Sequence, residues 1–269
     1  MNQFDITVVK PTSSGPNTKI LEFDTLDVLA TAVAAFKYNG GYFKTTEMIT
    51  DEQDASKYHY RHSNKDILRN QFLLDYYSSS SKPPLMKVTD EDHQMANDIR
   101  EYSKKEIFKC IANDTSYATS LYQCLNKEKA SPQDFGFIAS APFYYQNSKN
   151  KDFFNAKMKE IDGITTHVGT TGAKIYLDNF EIIRSNKSNN YPGWVVMGVC
   201  DNNLFLFFTR NHFIGKRALG DKINIEGIIK DHIMEKSVTP MTKLNKVYER
   251  TPKIVTVTEK IDDKDWAFT

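Results

Sequence analysis

Apolar residues recur at helical spacing from Asp24 onward. Leu26, Leu29, Val33 and Phe36 fall on one face, Asp24 stands at the capping position, and Asn39-Gly40-Gly41 ends the pattern, which predicts a helix to about Tyr38. Asn64 to Tyr77 repeats it, with Ile67, Leu68, Phe72 and Leu73 as the apolar face, and Ser78 to Pro84 has the composition of a loop. Thr89-Asp90-Glu91-Asp92 reads as a capping box with Asp in place of Glu or Gln. The helix behind it is expected to reach about Ala112, with Met95, Ile99, Tyr102 and Ile107 as its buried stripe. Its acidic start, and Lys104, Lys105 and Lys109 near its end, suit the helix dipole. Shorter helices are expected near Ser116–Lys127 and Pro132–Ala139, the second stopped by Pro142, with another over Lys151–Ile161.

After Asp162 the period shortens to that of strands. Lys174 to Ile183 alternates, with Ile175, Leu177 and Phe180 on the inward side. Trp194–Cys200 and Leu204–Thr209 flank Asp201-Asn202-Asn203, residue types that accept the positive φ of a tight turn. Phe213 to Leu219 is a short helical link, and Lys222–Met234 and Thr239–Tyr248 form a second hairpin. Five strands with a helical link between the third and fourth is the plan of an OB barrel, although the pattern also suits other small β-barrels.

The expected architecture is α+β: a helical N-terminal region, 1–160, packed on a C-terminal five-stranded OB-like β-barrel, 161–249, followed by a flexible, mildly acidic C-terminal tail, 250–269. The chain has 269 residues, a length that suits one large domain or two small ones. Its net charge of +1 gives no bulk attraction to nucleic acid or membrane, so any basic site must be local. Three cysteines at unrelated spacings suit neither a disulfide framework nor a zinc site, and point to a reducing cytoplasm. Met1–Lys10 holds no long apolar stretch that would make a signal peptide, and no apolar run approaches a membrane span.

Catalytic constellations do not emerge. Val168-Gly169-Thr170-Thr171-Gly172-Ala173-Lys174 lacks the glycine spacing of a phosphate loop and reads as a glycine turn entering a strand. His59 and His62 are too few to hold a metal, and Asp51, Glu52 and Asp54 read as a solvated loop. Neither a nucleophile elbow, a His-Glu-x-x-His motif nor a kinase signature occurs, so the expectation is no enzyme, no cofactor and no metal.

Single-strand binding needs exposed aromatic faces for bases and cations along the phosphates. The predicted strands carry Trp194, Phe205, Phe207 and Phe208. Phe205 and Phe207 share one face, while Leu204, Leu206 and Phe208 share the other; one set is expected to be core, and the other is either open to bases or buried as well beneath the helices. Trp194, Phe205 and Phe207 are the candidates for stacking; Arg210, Lys216, Arg217, Lys230, His232, Lys243 and Lys246 are the candidates for phosphate. Segment 161–249 has 11 basic and 9 acidic residues, an excess of only 2, so a groove must concentrate them. A second basic-aromatic cluster, Lys57-Tyr58-His59-Tyr60-Arg61-His62, is either a surface loop or an arm on nucleic acid.

Gly220-Asp221-Lys222-Ile223-Asn224-Ile225-Glu226-Gly227-Ile228-Ile229-Lys230-Asp231-His232, followed by Thr242-Lys243-Leu244-Asn245-Lys246-Val247, resembles a pattern of phage-encoded OB-like replication proteins. That pattern runs Gly-Asp, a β-rich strand with Gly, Val-Lys-x-His, then Thr-x-Leu-x-Arg-Val; here Ile229 replaces Val and Lys246 replaces Arg. Asp201-Asn202-Asn203 is similar to the same group's Asp-x-x-Gly-Asn turn without its Gly, and Thr89–Tyr145 resembles the region before the barrel. The resemblance spans residues 89–249 and implies a phage single-stranded DNA-binding protein or a relative, with Lys230, His232 and Lys246 at matching motif positions. The end of the chain, Asp262-Asp263-Lys264-Asp265-Trp266-Ala267-Phe268, is similar to the acidic, aromatic-ended tails of such proteins, but has extra lysines and a final Thr269. It implies Asp262, Asp263, Trp266 and Phe268 as contacts to replication partners. The expected function is binding of single-stranded DNA without sequence preference in phage replication or recombination. The rivals are a protein-interaction or structural module of a replisome or virion, and a nuclease with dispersed carboxylates. The oligomeric state is not legible in the sequence.

Overall fold

A computed structural model describes residues 21–50, 57–73, 82–112, 116–188, 191–235 and 239–250. The chain divides into two compact units, 1–148 and 149–269. The fold is α+β, with helices in the first unit and a closed five-stranded OB-like barrel in the second.

The first unit is built around helix α1 (Thr25–Asn39). Asp24 caps it by accepting from the Leu26 N–H (2.9 Å) and the Asp27 N–H (3.4 Å). Gly40, at φ 66, turns the chain out through the left-handed region. Val28 through Ala35 are all buried, so α1 is enclosed on every side rather than amphipathic. Around it pack α2 (Asn64–Phe72), α3 (Asp90–Ala112), α4 (Ser116–Asn126) and the start of α5 (Phe135–Glu160), with Leu29, Leu68, Ile99, Leu121, Phe135 and Ile138 at the centre. Phe23–Asp24 (β1) pairs with Lys129–Ala130 (β4), and Glu47–Thr50 (β2) pairs with Tyr58–Arg61 (β3) in a two-stranded antiparallel ribbon.

Two short boxes, each closed by a lysine from elsewhere in the unit, fix the entries to α3 and α5. Asp92 Oδ2 accepts from the Thr89 N–H (2.9 Å) and hydroxyl (2.8 Å), while Lys37 Nζ donates to Oδ1 (2.6 Å). Asp134 Oδ2 likewise accepts from the Ser131 N–H (2.9 Å) and hydroxyl (2.9 Å), and Lys127 Nζ donates to Oδ1 (2.7 Å). Burial pushes the Asp134 carboxyl up, but these donors and the Cys124 thiol outweigh it and hold it down at about 2.

Two helical expectations fail. Pro142 does not stop a helix; it lies inside α5, which runs unbroken from Phe135 to Glu160. Proline removes one backbone bond, whereas Ile138, Ala139, Ser140 and Ala141 around it are all buried, and that packing carries the helix through. Met95 points outward at 38% exposed; Ala96 and Ile99 hold the inner face of α3.

The barrel comprises β5 (Lys174–Lys187), β6 (Trp194–Cys200), β7 (Asn203–Thr209), β8 (Lys222–Glu235) and β9 (Thr239–Glu249), closed in the order β5-β6-β7-β9-β8. Every pairing is antiparallel except β7 with β9. Asp201 and Asn202 turn β6 into β7 at φ 48 and 61, as their residue types predict. The link between β7 and β8 contains one short 3-10 turn, Ile214–Lys216.

Alternation puts Ile182 inside the barrel and Ile183 outside, and the register shift between Ile182 and Arg184 then brings Arg184 opposite Met197 on the outer side as well. Inside, Phe180, Ile182, Val196, Phe205, Phe207 and Ile225 fill the lumen. Phe180 occupies the space over Gly198: a Cβ there would lie 2.2 Å from Phe180 Cζ and 2.5 Å from the Glu181 carbonyl. Outside, the C-terminal turns of α5 lay Phe153, Phe154 and Met158 against Ile183, Met197, Leu204 and Met241. The wall is thus apolar on both sides where α5 covers it.

Candidate nucleic-acid interface

The structure divides the β7 aromatics by a one-residue alternation, and it corrects the stacking assignment. Phe205 (1% exposed) and Phe207 (0%) point into the lumen, where Phe207 meets Phe180 with ring centroids 5.7 Å apart. A ring enclosed in the core offers no face to a base, so neither residue is a stacking surface. Phe208, on the opposite side of the same strand, is 40% exposed. Its Cα partner on β6 is Val195, also 40% exposed, and Tyr191 in the preceding loop is 65% exposed.

Phe208 is held by a glycine. Gly193 has φ 146, and a Cβ there would sit 2.6 Å from the Thr209 carbonyl and 2.7 Å from Phe208 Cζ. The loop can therefore close against the Phe208 ring edge only without a side chain. Trp194 is half-buried and faces the lumen side, packing over Gly215 of the 3-10 turn. It closes that end of the barrel instead of standing free.

The strand registers place the surrounding cations. One row outside the wall reads Asn186–Val195–Phe208; the next reads Arg184–Met197–Leu206–Lys243. Arg184 and Lys243 thus bracket the wall across three strand spacings, about 14 Å. Lys187 pairs in register with Trp194, and Arg210 directly follows Thr209, the other neighbour of Trp194. Among the described residues, Arg184, Lys187, Arg210 and Lys243 close no ion pair. Arg184 lies 5.6 Å over the Phe154 ring, which props the guanidinium beside the open row.

The other predicted cations differ in circumstance. Arg217 is bonded to Glu249, so its charge is already balanced. Lys216 is exposed in the 3-10 turn. Lys230 is exposed on β8 at the register shift next to Asp231, the register partner of Lys243, and Lys246 is exposed at φ 48 on β9. His232 is engaged with its own fold: its ring stacks on His167 at 4.8 Å and 11°, and its Nε2 lies 3.2 Å from the Val168 carbonyl. His167 Nε2 reciprocates at 3.0 Å from the Ile233 carbonyl, so the pair clasps the glycine loop to β8. That loop is the turn into β5 expected from its composition, with the Gly172 N–H donating to the Ile229 carbonyl (2.8 Å). Asp262, Asp263, Trp266 and Phe268 lie outside the described residues.

The outer face of β5, β8 and β9 has a different electrostatic character. Tyr176 and Tyr248 are each 54% exposed there. The nearby cations are committed: Lys174 to Glu226 (3.1 Å) and Arg250 to Asp178, with both also lying over the Tyr176 ring. Aromatic surface without surplus charge attracts no polyanion. Burial pushes the Cys124 and Cys200 thiols up to about 11, so neither is a ready nucleophile at neutral pH. Among the described residues, no three His, Cys, Asp or Glu side chains gather as a metal site, and no helix is long and apolar enough to cross a membrane.

Phe208, Val195, Tyr191 and Arg184 were not among the sequence candidates for this surface; Lys187 lies on the Trp194 side of the wall. Alternation along β7 separates Phe208 from Phe205 and Phe207, but not which side is core. Comparison with protein families, with curated proteins and with solved structures finds no match.

Proposed function

We propose that the barrel binds single-stranded DNA without base preference and is a binding protein rather than an enzyme. One observation carries this reading: the open row of Val195 and Phe208, with Tyr191 beside it, is bordered by three cations, Arg184, Arg210 and Lys243, that close no ion pair among the described residues. Bases would stack on Phe208 and Tyr191, and Arg184, Arg210 and Lys243 would meet phosphates. The strand plan adds support, because OB barrels take oligonucleotides on their second and third strands, here β6 and β7. On the sequence resemblance alone, we further propose that this activity serves phage replication or recombination in the host cytoplasm, with Asp262, Asp263, Trp266 and Phe268 as contacts to replication proteins.

The test is fluorescence anisotropy of the whole protein with a labelled oligothymidylate and its duplex counterpart across a salt series. Three phosphate contacts predict a log–log salt slope of about −2 for a single strand. Preference for the single strand with such a slope supports the proposal. Binding that is absent at low salt, or unmoved by salt, overturns it and leaves the apolar row to a protein partner.

A further inference from the structure

The fold holds the arginines of the second unit in different ways. Arg217 and Arg250 close on the carboxylates of Glu249 and Asp178. Arg210 is exposed and closes no ion pair among the described residues. Arg184 is held, but by neutral groups. Its guanidinium lies 5.6 Å over the Phe154 ring of α5. Asn186 is two positions further along β5 and so stands on the same face. With its amide oxygen turned toward Arg184, both ends of the Asn186 amide find partners: Oδ1 accepts from Arg184 Nε (3.1 Å) and Nδ2 donates to the Ser185 carbonyl (3.2 Å).

Supports without charge do two things at once. They leave the positive charge of Arg184 uncancelled, because a ring and an amide attract a cation without neutralising it. They also orient the guanidinium before any ligand arrives. Nε is occupied, and among the described residues Nη1 and Nη2 take no hydrogen-bond partner, so the far edge of the group is an open fork. That planar fork matches the two non-bridging oxygens of one phosphodiester, each accepting one N–H. An arginine without supports would have to freeze its long side chain on binding, which weakens the contact. A lysine would carry the same charge but neither the fork nor an Nε for Asn186. Arg184 begins the row Arg184–Met197–Leu206–Lys243, and Asn186 begins the neighbouring row that ends at Phe208. Fork and support thus stand at the edge of the open apolar wall.

We propose that Arg184 grips a single phosphodiester of the bound strand through this fork, and that Asn186 and Phe154 are positioning residues that set its angle. The proposal rests on the barrel reading and names the chemical group that one of its cations recognises.

The experiment measures oligothymidylate affinity and its salt slope for the whole chain as wild type, R184A, R184K, F154L, N186A, R184K/F154L and F208A, with thermal melts to check folding. R184A is expected to lose about tenfold and to reduce the slope by about 0.7. R184K should lose a similar factor with the slope kept, because its charge remains. F154L and N186A should each lose about two- to fivefold, again with the slope kept. In the R184K background F154L should cost no further affinity, whereas a ring that only supported the fold would cost the same in either background. The Arg184 Nε–H signal of the free protein is expected to shift in F154L, which removes the ring current beside it. Should F154L melt early, N186A decides alone, because the Asn186 side chain is exposed. A loss in one of the two variants assigns the role to that residue. If R184A binds worse while F154L and N186A keep wild-type affinity, the proposal is overturned and the barrel reading stands. An R184A that binds like wild type overturns it too, whatever F208A does. If R184A and F208A both match wild type, or no oligonucleotide binds, the barrel reading falls with it.

Discussion

Phe207→Ala and Phe208→Ala delete the same atoms from adjacent positions of β7, on opposite sides of the barrel wall. Phe207 is 0% exposed and packs on Phe180, so its truncation opens a cavity in the lumen and is expected to cost about 3–5 kcal/mol of stability. That is a large share of the roughly 5–15 kcal/mol that holds a domain together. Phe208 is 40% exposed; burying a whole Phe side chain contributes about 1.5–3 kcal/mol, so losing the covered part of this one costs about 1–2. In DNA binding the order reverses. Removing a stacking ring costs about 1–3 kcal/mol per base, or about 5- to 150-fold in affinity. Phe208→Leu separates the two roles, because it keeps apolar bulk against Gly193 and removes the π-face. The assay pairs urea unfolding with oligothymidylate anisotropy on both alanine variants and on Phe208→Leu. A folded Phe208→Ala that binds DNA like wild type refutes the stacking surface. A Phe207→Ala as stable as wild type refutes the assignment of that ring to the core.

Arg184→Ala and Lys243→Ala should each weaken binding evenly across sequences and reduce the salt slope by about 0.7, whereas Lys174→Ala, whose charge is already matched by Glu226, should leave the slope unchanged; salt titrations of the three check this. Asp134 is held at about 2 in the folded state against 3.8 for a free carboxyl, so it stabilises the fold by about 2 kcal/mol above pH 4. That contribution is lost as pH falls from about 4 toward 2, and Asp134→Asn should flatten the acid limb of stability over that window; a mutant whose acid limb matches wild type rules out the box as its source. Gly198→Ala forces a methyl into Phe180 and the Glu181 carbonyl and should cost about 3 kcal/mol or more in urea melts, the upper end for overpacking because one obstacle is backbone. Gly40→Ala meets open space but keeps a left-handed φ, so it should cost only about 1–2; equal losses at the two sites would refute the overpacking argument.

The barrel strands were legible because alternation and turn chemistry agree. Asp201 and Asn202 adopt the positive φ their side chains tolerate, and β6 begins and ends at Trp194 and Cys200 as expected. The inward side of β7 was not legible, because the strand is apolar on both faces: Phe205 and Phe207 fill the lumen while Leu204 lies under α5. Periodicity separates two such faces without ranking them. Pro142 misled for a related reason, since a local rule about one lost hydrogen bond is silent on the burial around it. The ribbon gave no period at all, because Tyr58 to Arg61 are exposed on both sides. Nor does sequence show which cations are spent: Arg217 finds Glu249 thirty-two positions away, while Arg184 finds an aromatic ring.

The single parallel seam, β7 against β9, sets an order of assembly. Strands β5, β6 and β7 can pair with one another as soon as they emerge from the ribosome, but β7 obtains its second neighbour only when Thr239–Glu249, the last described strand, has been made. Until then Asn203–Thr209, all seven of whose residues pair with β6 on one side, exposes an unpaired backbone edge on the other, of the kind that recruits other chains. A chain ended at Glu235 is therefore expected to aggregate, where one ended at Arg250 stays dispersed, as light scattering would report. The wall proposed to receive DNA is thus the part of the barrel whose backbone is satisfied last, and its protection during synthesis depends on the speed with which the final strand arrives.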